Sequence, residues 1–479
     1  MSNAEYDLIV VGGGVGGCAA ATEAAELGGR VLIIEVTDQV GGNAVRSTGY
    51  LAFAGTPMQE EQGITDTPED FLADIDAEIE RQKQQFPIQY NRELAKRFVE
   101  ESADAYRYLY DLGVRWSRFV RRPTLHRNDR MAATVDTSVY RTAFEKRIAD
   151  TGVEVVTNTR AIELIRENGR VVGVKALRDP EGAREQVEYR SKRGVILATG
   201  SYSANGALRE RYQLEKYART PYLGLDTVRG DGHIMAAALG ADLVTMPMIP
   251  LFVVVPGAVL EDCIAVNIHG QRFHDENGPY DDRVIAVEAQ PEGKGWYIFD
   301  NATAREKGKY IREFPDEVFK AETLEEIAAW IGCPADELKR TVDEWNAACR
   351  AGVDEKFGRV VFSAGNRELI EPPFYASRLV IGVTFPSGGV KVTENLEAVD
   401  VMGRTIPGLY AVGDAAGGLS SAIGLGGLRI APAITLGRIA GREAMARDEN
   451  TPSRQVDEYL MNGPRVTRED KGTVMMLHY

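Results

Sequence analysis

The sequence predicts an α/β protein, in which a mostly parallel sheet covered by helices carries an inserted α+β lobe. Three observations indicate this fold class. The chain opens with a β-α-β pattern between Tyr6 and Glu35. Short apolar strands return near residues 195 and 406. The chain has 479 residues, too many for one hydrophobic core, because a domain usually has roughly 150 residues.

The composition is typical of a folded globular chain. Hydrophobic residues make up 44% of the sequence and charged residues 27%, which excludes a disordered or fibrous class. The 56 basic and 71 acidic side chains leave a net charge of -15, which would repel nucleic acid and an anionic membrane surface. No apolar run approaches the ~18 residues of a membrane span. We therefore expect neither nucleic acid nor a membrane span.

The cysteines and histidines lack the spacing of a disulfide framework or a metal site. The four cysteines are far apart and form no C-x-x-C pair: Cys18, Cys263, Cys333 and Cys349. The five histidines are interpreted as structural. The N-terminal apolar stretch follows the acidic residues Glu5 and Asp7 and has no basic region of the kind that opens a signal peptide. The sequence therefore predicts a cytoplasmic protein without a metal.

The first β-α-β unit carries a glycine-rich turn. Gly12, Gly14 and Gly17 follow the strand YDLIVVG and open a run of small residues, and Glu35 ends the next strand. In such a unit the glycines permit a tight turn, the approach of a pyrophosphate and close packing of helix on strand. The carboxylate accepts hydrogen bonds from the adenosine ribose. The sequence therefore predicts a Rossmann-type dinucleotide site.

The following segments differ in pattern along the chain. Residues 56 to 150 are mostly helical and charged, and they could cover one side of the sheet. Residues 153 to 198 are predicted to form a meander of short strands, with turns at Glu167-Asn168-Gly169 and 179 to 182, and to close on the strand GVILATG. We expect this meander to return to the parallel sheet.

The later chain predicts a second lobe. Residues 240 to 360 combine strands with amphipathic helices, and after Pro372-Pro373 the strands return and lead into the small-residue helix IAPAITLGRIAGREAMA. We predict a discontinuous cofactor-binding domain over 5–240 and 361–447, a capping domain over 241–360 and a C-terminal tail over 448–479.

Several motifs together resemble one family. They are VGGGVGGCAAA, GGNAVRSTGY at 41–50, GVILATGSY at 194–202, GDGHIMAAALGA at 230–241, VNIHGQRFHDE at 266–276, EPPFYA at 371–376 and IPGLYAVGDAAGG at 406–418. In these the chain resembles the FAD-binding fumarate reductase and succinate dehydrogenase flavoprotein family, which includes the 3-ketosteroid dehydrogenases. The resemblance implies FAD as cofactor and a glutathione-reductase-like FAD-binding domain.

The resemblance also implies cofactor contacts along the chain. Asp414, after Gly413, would accept a hydrogen bond from a ribityl hydroxyl. The backbone of Leu428 to Ile430 and the start of the following helix would lie at the edge of the flavin ring. The remaining implied contacts are Val15, Gly16, Val36, Gly41, Gly42, Asn43, Ser47, Thr48, Gly49, Ala161, Thr199, Gly200 and Asp231.

Asn43 stands where the covalent relatives have their flavin-linked histidine. Because this position holds no histidine, we expect FAD to be bound non-covalently.

The predicted substrate site departs from that of the fumarate reductases. Tyr280 stands where their proton-delivering arginine would be, Thr384 and Phe385 replace paired histidines, and Gly424 replaces a carboxylate-binding arginine. A dicarboxylate is therefore a poor substrate prediction. RFHDENGPYDD instead resembles the N-E-x-x-P-Y pattern of ketosteroid dehydrogenases. Their second tyrosine, however, is replaced here by Ile423 or Gly424.

Three side chains are candidate catalytic residues. Tyr280 would exchange a proton with the substrate carbon, and Arg283 would favour the tyrosinate form. The alternative for Tyr280 is a surface turn. Arg429 would anchor a carboxylate or carbonyl oxygen, or else form a structural salt bridge.

The predicted function is an FAD-dependent oxidoreductase. It would transfer hydride between flavin N5 and a C=C or CH–CH bond next to a carbonyl, and exchange electrons with a separate donor or acceptor. The alternatives are a dicarboxylate reductase, an NAD-dependent dehydrogenase, a redox-neutral flavin isomerase and a non-enzymatic protein like the Rab GDP-dissociation inhibitors.

Overall fold

The computed structural model describes residues 5–119, 125–134, 136–248, 250–259, 263–359, 368–383, 388–419 and 424–447. Its strands are β1 (Glu5–Tyr6), β2 (Leu8–Val11), β3 (Val31–Ile34), β4 (Tyr50–Ala52), β5 (Trp116–Phe119), β6 (Met131–Thr134), β7 (Glu154–Val156), β8 (Thr159–Glu167), β9 (Arg170–Arg178), β10 (Glu185–Ser191), β11 (Val195–Leu197), β12 (Leu243–Val244), β13 (Leu251–Val253), β14 (Ile264–Val266), β15 (Trp296–Phe299), β16 (Val318–Ala321), β17 (Phe374–Arg378), β18 (Val380–Gly382), β19 (Gly389–Val390), β20 (Glu397–Val399) and β21 (Thr405–Ala411).

Its α-helices are α1 (Val15–Glu26), α2 (Pro57–Glu61), α3 (Pro68–Lys83), α4 (Arg92–Glu100), α5 (Ser102–Asp111), α6 (Val139–Thr151), α7 (Gly206–Tyr212), α8 (Asp231–Ala238), α9 (Pro256–Val259), α10 (Tyr280–Glu288), α11 (Asn301–Glu306), α12 (Gly308–Glu313), α13 (Leu324–Ile331), α14 (Ala335–Ala351) and α15 (Ile430–Ala446).

A six-stranded sheet forms the centre of the first lobe, in the order β20-β21-β11-β2-β3-β7. All its pairs are parallel except the edge pair β20–β21. All residues of β2 and β3 are buried, as expected for strands covered on both faces. The predicted α/β class is confirmed, and β11 joins the parallel sheet as expected.

Helices α1 and α15 pack closely because both have small residues where they touch. A Cβ atom on Gly437 would lie 2.3 Å from the carbonyl oxygen of Gly16, and one on Gly441 would lie 2.4 Å from that of Ala20. The predicted helix after the glycine-rich loop is therefore confirmed, and its lack of large side chains has a packing cause. Helix α1 ends before Gly28, whose φ of +88° is favourable only for glycine.

The predicted meander is a four-stranded sheet in the order β1-β10-β9-β8. Asn168 and Gly169 connect β8 and β9 with φ values of +50° and +84°, which is typical of a two-residue hairpin turn. The block before residue 150 is mostly helical as expected. Its strands β5 and β6 form a small antiparallel sheet with β4, which precedes the block, and the sequence did not indicate this sheet.

A second lobe is built on the antiparallel sheet β14-β15-β17-β16. Strand β17 pairs with β15 and β16, and β18 pairs with β13. Residues 374–382 therefore pair with the second lobe, although the sequence suggested that the chain returns to the first lobe at residue 361. The cause is that a β-strand pattern does not indicate which sheet the strand joins. The division into domains stays a prediction, and the predicted tail lies outside the described residues.

Candidate functional site

The glycine turn has the geometry that its pattern predicts. Gly12 has a φ of +107°, and a Cβ atom there would lie 2.3 Å from the carbonyl oxygen of Ala198. A Cβ atom on Gly17 would lie 2.0 Å from the oxygen of Gly12, whereas one on Gly14 would meet no atom within 4 Å. Two glycines are therefore required by packing, and the third leaves open space at the start of α1. That space is where an anion can approach the helix N-terminus.

Glu35 lies directly after β3 and is 7% exposed. Its Oε2 accepts a hydrogen bond of 2.6 Å from the backbone N–H of Gly13. Its Oε1 accepts two bonds of 2.8 Å, from the backbone N–H and the hydroxyl of Thr37. The carboxylate is thus held against the glycine turn. Its predicted ribose contact stays a prediction.

A long cleft runs from this turn along the carboxyl ends of the parallel strands. It contains about 1180 Å³ of space that no protein atom fills, part of it open to solvent. The predicted cofactor residues that line it are Gly12, Gly14, Val15, Gly16, Glu35, Val36, Gly41, Gly42, Asn43, Ser47, Ala161, Thr199, Gly200, Asp231, Gly413, Asp414 and Ile430. The structure therefore brings together positions that are hundreds of residues apart.

Four predicted cofactor positions do not line this cleft. Gly17 packs under the turn, and Leu428 lines a small adjoining cavity. Thr48 and Gly49 also lie outside the lining. The backbone N–H of Gly49 donates to the hydroxyl of Ser47, at 3.1 Å. Thr48 and Gly49 therefore follow the lining residue Ser47 without belonging to the cleft wall.

The sequence interpretation missed part of the cleft wall. Arg160 donates to Asp231 at 2.7 Å, and both residues line the cleft. Leu225, Thr227 and Val228 line it as well. Arg160 follows the start of β8 on a strand that has no glycine motif, so no local signal could have found it.

Asn43 is held by a segment that the motifs do not include. Its Nδ2 donates to the hydroxyl of Tyr222 at 3.0 Å, and its Oδ1 accepts from the backbone N–H of Leu225 at 2.9 Å. Burial raises the pKa of Tyr222 to about 12, although the bond from Asn43 lowers it. Tyr222 is therefore protonated at neutral pH.

Asp414 and Arg429 form an ion pair at the far end of the cleft, with 3.3 Å between Oδ1 and Nη1. Burial raises the pKa of Asp414, and the guanidinium of Arg429 opposes this change. Burial likewise lowers the pKa of Arg429. The salt bridge that the sequence left as an alternative for Arg429 is thus present, and its substrate contact stays a prediction.

Tyr280 and Arg283 stand on the first turn of α10, outside the residues that line the cleft. The guanidinium of Arg283 lies over the ring of Tyr280, 4.5 Å from its centroid. Arg283 is 2% exposed and donates to the backbone oxygens of Glu276 and Pro279. The predicted proximity of the two side chains is present. Thr384, Phe385 and Ile423 lie outside the described residues.

Helix α3 connects α10 with the glycine-rich loop. Arg81 binds Asp281 through two hydrogen bonds, of 2.8 and 3.1 Å, and also binds Glu78. Glu78 in turn lies against Gly424. The sequence did not single out these residues, although Glu78 and Gln82 share the buried face of α3 with Ile75 and Ile79. A charged residue on an apolar helix face was the available signal.

A family model described as an FAD binding domain matches residues 7–430. The chain therefore belongs to this family of FAD-binding proteins. FAD is its cofactor, as the glycine turn, the cleft and the family match together indicate.

Two named relatives match nearly the whole chain. NADH:fumarate oxidoreductase of Klebsiella pneumoniae (strain 342) is 29% identical over 464 residues, which are 92% of this chain and 48% of that protein. Urocanate reductase of Eggerthella lenta is 29% identical over 471 residues, 92% of this chain and 75% of that protein. The chain thus spans about half the length of the first relative.

A solved structure has the same fold. It is 3-ketosteroid-delta4-(5alpha)-dehydrogenase from Rhodococcus jostii RHA1 in complex with 4-androstene-3,17-dione, with a TM-score of 0.70 and 26% identity. The match covers 92% of this chain and 97% of that one.

Among the described residues, no helix has the length and apolar character needed to cross a membrane. Within the same residues, no group of three or more His, Cys, Asp or Glu side chains could hold a metal ion.

Proposed function

We propose that this protein oxidises or reduces a carbon–carbon bond, C=C or CH–CH, that lies next to a carbonyl group. Bound FAD would accept or donate a hydride in this reaction. Two of the relatives described above are named for fumarate and urocanate, and the solved structure contains a 3-ketosteroid. Each of these compounds has a double bond conjugated with a carbonyl.

The observation that carries the proposal is the connection between the cleft and α10. Arg429 lines the cleft, and Gly424, five residues earlier in the same loop, lies against Glu78, which binds Arg81. Arg81 binds Asp281, the neighbour of Tyr280. This contact supports a substrate site between the loop and the first turn of α10, with Tyr280 on its outer wall.

In this site the protein would supply the proton and the polar contacts. Tyr280 would donate its phenolic proton to the substrate carbon during reduction, and would take a proton there during oxidation. The guanidinium of Arg283, over the ring of Tyr280, would help to hold the phenol in position. The carbonyl oxygen gains negative charge in either direction, and Arg429 would stabilise it.

The test is anaerobic photoreduction of the purified holoenzyme, followed by addition of enones, enoates and quinones. We expect an enone or an enoate to reoxidise the flavin and to yield the saturated product. Reoxidation by quinones alone would contradict the proposal. Product analysis without added electrons would detect a redox-neutral isomerase.

Electrons would pass to or from a separate donor or acceptor. The support is the single glycine fingerprint, at residues 12–17. Steady-state assays with NADH and with artificial dyes test this. Stoichiometric oxidation of NADH by the isolated chain would contradict it.

A further inference from the structure

Glu78 brings a buried carboxylate to the glycine-rich loop. Its side chain is 2% exposed. A Cβ atom at position 424 would lie 1.9 Å from Glu78 Oε1 and 3.2 Å from Arg81 Nη2. The position that a side chain at residue 424 would take is therefore occupied by this carboxylate, beside the guanidinium that it binds.

Carboxylates of the protein occupy both edges of that guanidinium. Nε and Nη2 of Arg81 donate to the two oxygens of Glu78, each at 2.9 Å. Nη1 and Nη2 donate to Asp281 at 3.1 and 2.8 Å, and Asp282 lies 3.3 Å from Nη1. Three carboxylates thus share one guanidinium, which leaves an excess of negative charge beside the loop.

Glu78 is also held from the other side. Gln82 is fully buried, and its Nε2 donates to Glu78 Oε1 at 2.9 Å. The carboxylate therefore has three hydrogen bonds that fix it on the edge of Arg81. A carboxylate arriving from solvent would have to displace it in order to form the paired contacts that arginine prefers.

We propose that Glu78 is a specificity-determining residue, which fills the position in front of Gly424 and disfavours substrates that would bring a carboxylate there. The proposal rests on the proposed function, because it takes the substrate to lie between the loop and α10. The Glu78 carboxylate accepts the hydrogen bonds from Nε and Nη2 of Arg81. A substrate carboxylate could otherwise bind these two donors. An anion there meets the charges of Glu78 and Asp281, and like charges at short range in a partly buried site repel strongly. A ketone or amide is not repelled.

The test compares two ligands of the same shape, fumarate and its uncharged diamide, fumaramide. Each is titrated into the holoenzyme, and binding is followed by the change in flavin absorbance. We expect the wild type to bind fumaramide more tightly than fumarate. Glu78→Ala frees one edge of Arg81 and should strengthen fumarate binding by roughly tenfold or more, as expected for a charge-assisted paired contact. Fumaramide binding should change little.

Two further variants control for charge and folding. Glu80→Ala removes the same charge from the same helix, but its side chain is 70% exposed, and it should leave both affinities unchanged. Glu78→Gln keeps the shape and the bond from Gln82, and it should shift the preference towards fumarate even if Glu78→Ala does not fold.

Three results would overturn the proposal. The first is that the wild type binds fumarate more tightly than fumaramide. The second is that the Glu78 variants bind fumarate no more tightly than the wild type does, or not at all. The third is that Glu80→Ala changes the fumarate affinity as much as the Glu78 variants do. The titration needs no turnover. If the preference shifts while no variant acts on any activated C=C bond, the proposed function fails and the specificity role stands.

Discussion

At the scale of single residues, a partly buried ion pair between an aspartate and an arginine lies at the far end of the cleft. Asp414 and Arg429 lie 3.3 Å apart, and burial shifts their pKa values in opposite directions, towards the neutral forms. Removing one partner of such an ion pair strongly destabilises the folded protein, because the charge of the other partner stays buried without compensation. The two residues therefore form one unit, and single replacements there would mix effects on stability with effects on FAD.

Tyr280 allows a cleaner replacement. Tyr280→Phe keeps the ring on which Arg283 rests, 4.5 Å away, and removes only the hydroxyl group. If Tyr280 carries the proton, turnover should fall by roughly 10²-fold or more, the usual size of general acid–base catalysis, while FAD stays bound. Steady-state and single-turnover rates measure this.

The control is Tyr110→Phe, which makes the same change at an exposed position of α5. A chemical step within about threefold of wild type in the Tyr280 variant would show that another group carries the proton.

At the scale of elements, the glycines in the turn between β2 and α1 have different roles: Gly17 is needed for packing, and Gly14 leaves space in which a ligand can bind. Gly17 is close to the backbone of Gly12, whereas Gly14 faces open space and has φ and ψ of -65° and 170°, which any residue adopts. Neighbouring glycines of one motif therefore have different physical requirements.

We expect Gly14→Ala to fold with an unchanged melting temperature and to bind FAD more weakly by about 1–3 kcal/mol, the usual cost of an extra methyl group in a close-packed contact. Gly17→Ala should lower the melting temperature itself, because its Cβ atom would lie 2.0 Å from the oxygen of Gly12. Thermal unfolding and FAD titration of the apoprotein distinguish the two. If Gly14→Ala binds FAD as wild type does, the pyrophosphate does not approach this glycine.

At the scale of the whole molecule, the cleft and the second lobe meet through charged side chains of the first lobe. Arg81 joins α3 to α10 across 200 residues of sequence, and Glu78 beside it touches the loop before α15. The proposed substrate side is thus bounded by carboxylates, whereas the cofactor cleft is lined by glycines, by apolar side chains and by the ion pairs Arg160–Asp231 and Arg429–Asp414.

The purified protein should be yellow and should release its flavin. Asn43 offers an amide in place of a histidine, and both ends of that amide are already hydrogen-bonded within the protein. Acid precipitation should therefore leave FAD in the supernatant, where absorbance and chromatography identify it. Flavin that stays in the pellet would contradict non-covalent binding. A colourless protein that cannot be reconstituted with FAD would contradict the assignment of the cofactor.

Fumarate and succinate should be poor substrates. Gly424 has no side chain with which to bind a carboxylate, and Glu78 beside it would repel one. We expect a kcat/KM for fumarate below ~10⁴ M⁻¹s⁻¹, the lower end of the usual enzyme range. Anaerobic assays with reduced viologen dye measure it, with an enone as the comparison. A higher value would show that the substrate site accepts dicarboxylates.

The sequence by itself determined the class, the cofactor and much of the cleft lining. Gly12 is required by a turn with positive φ, Gly17 is required by a close contact, and Glu35 stands at the end of a strand. Such local requirements are visible in a short stretch of sequence. The tertiary structure alone decided which charges meet. Arg160 binds Asp231, Arg81 binds Asp281, and β17 joins the second sheet. These contacts join distant segments, so no local periodicity predicts them, and the contact of Arg81 with Asp281 contributes to the charge of the proposed substrate site.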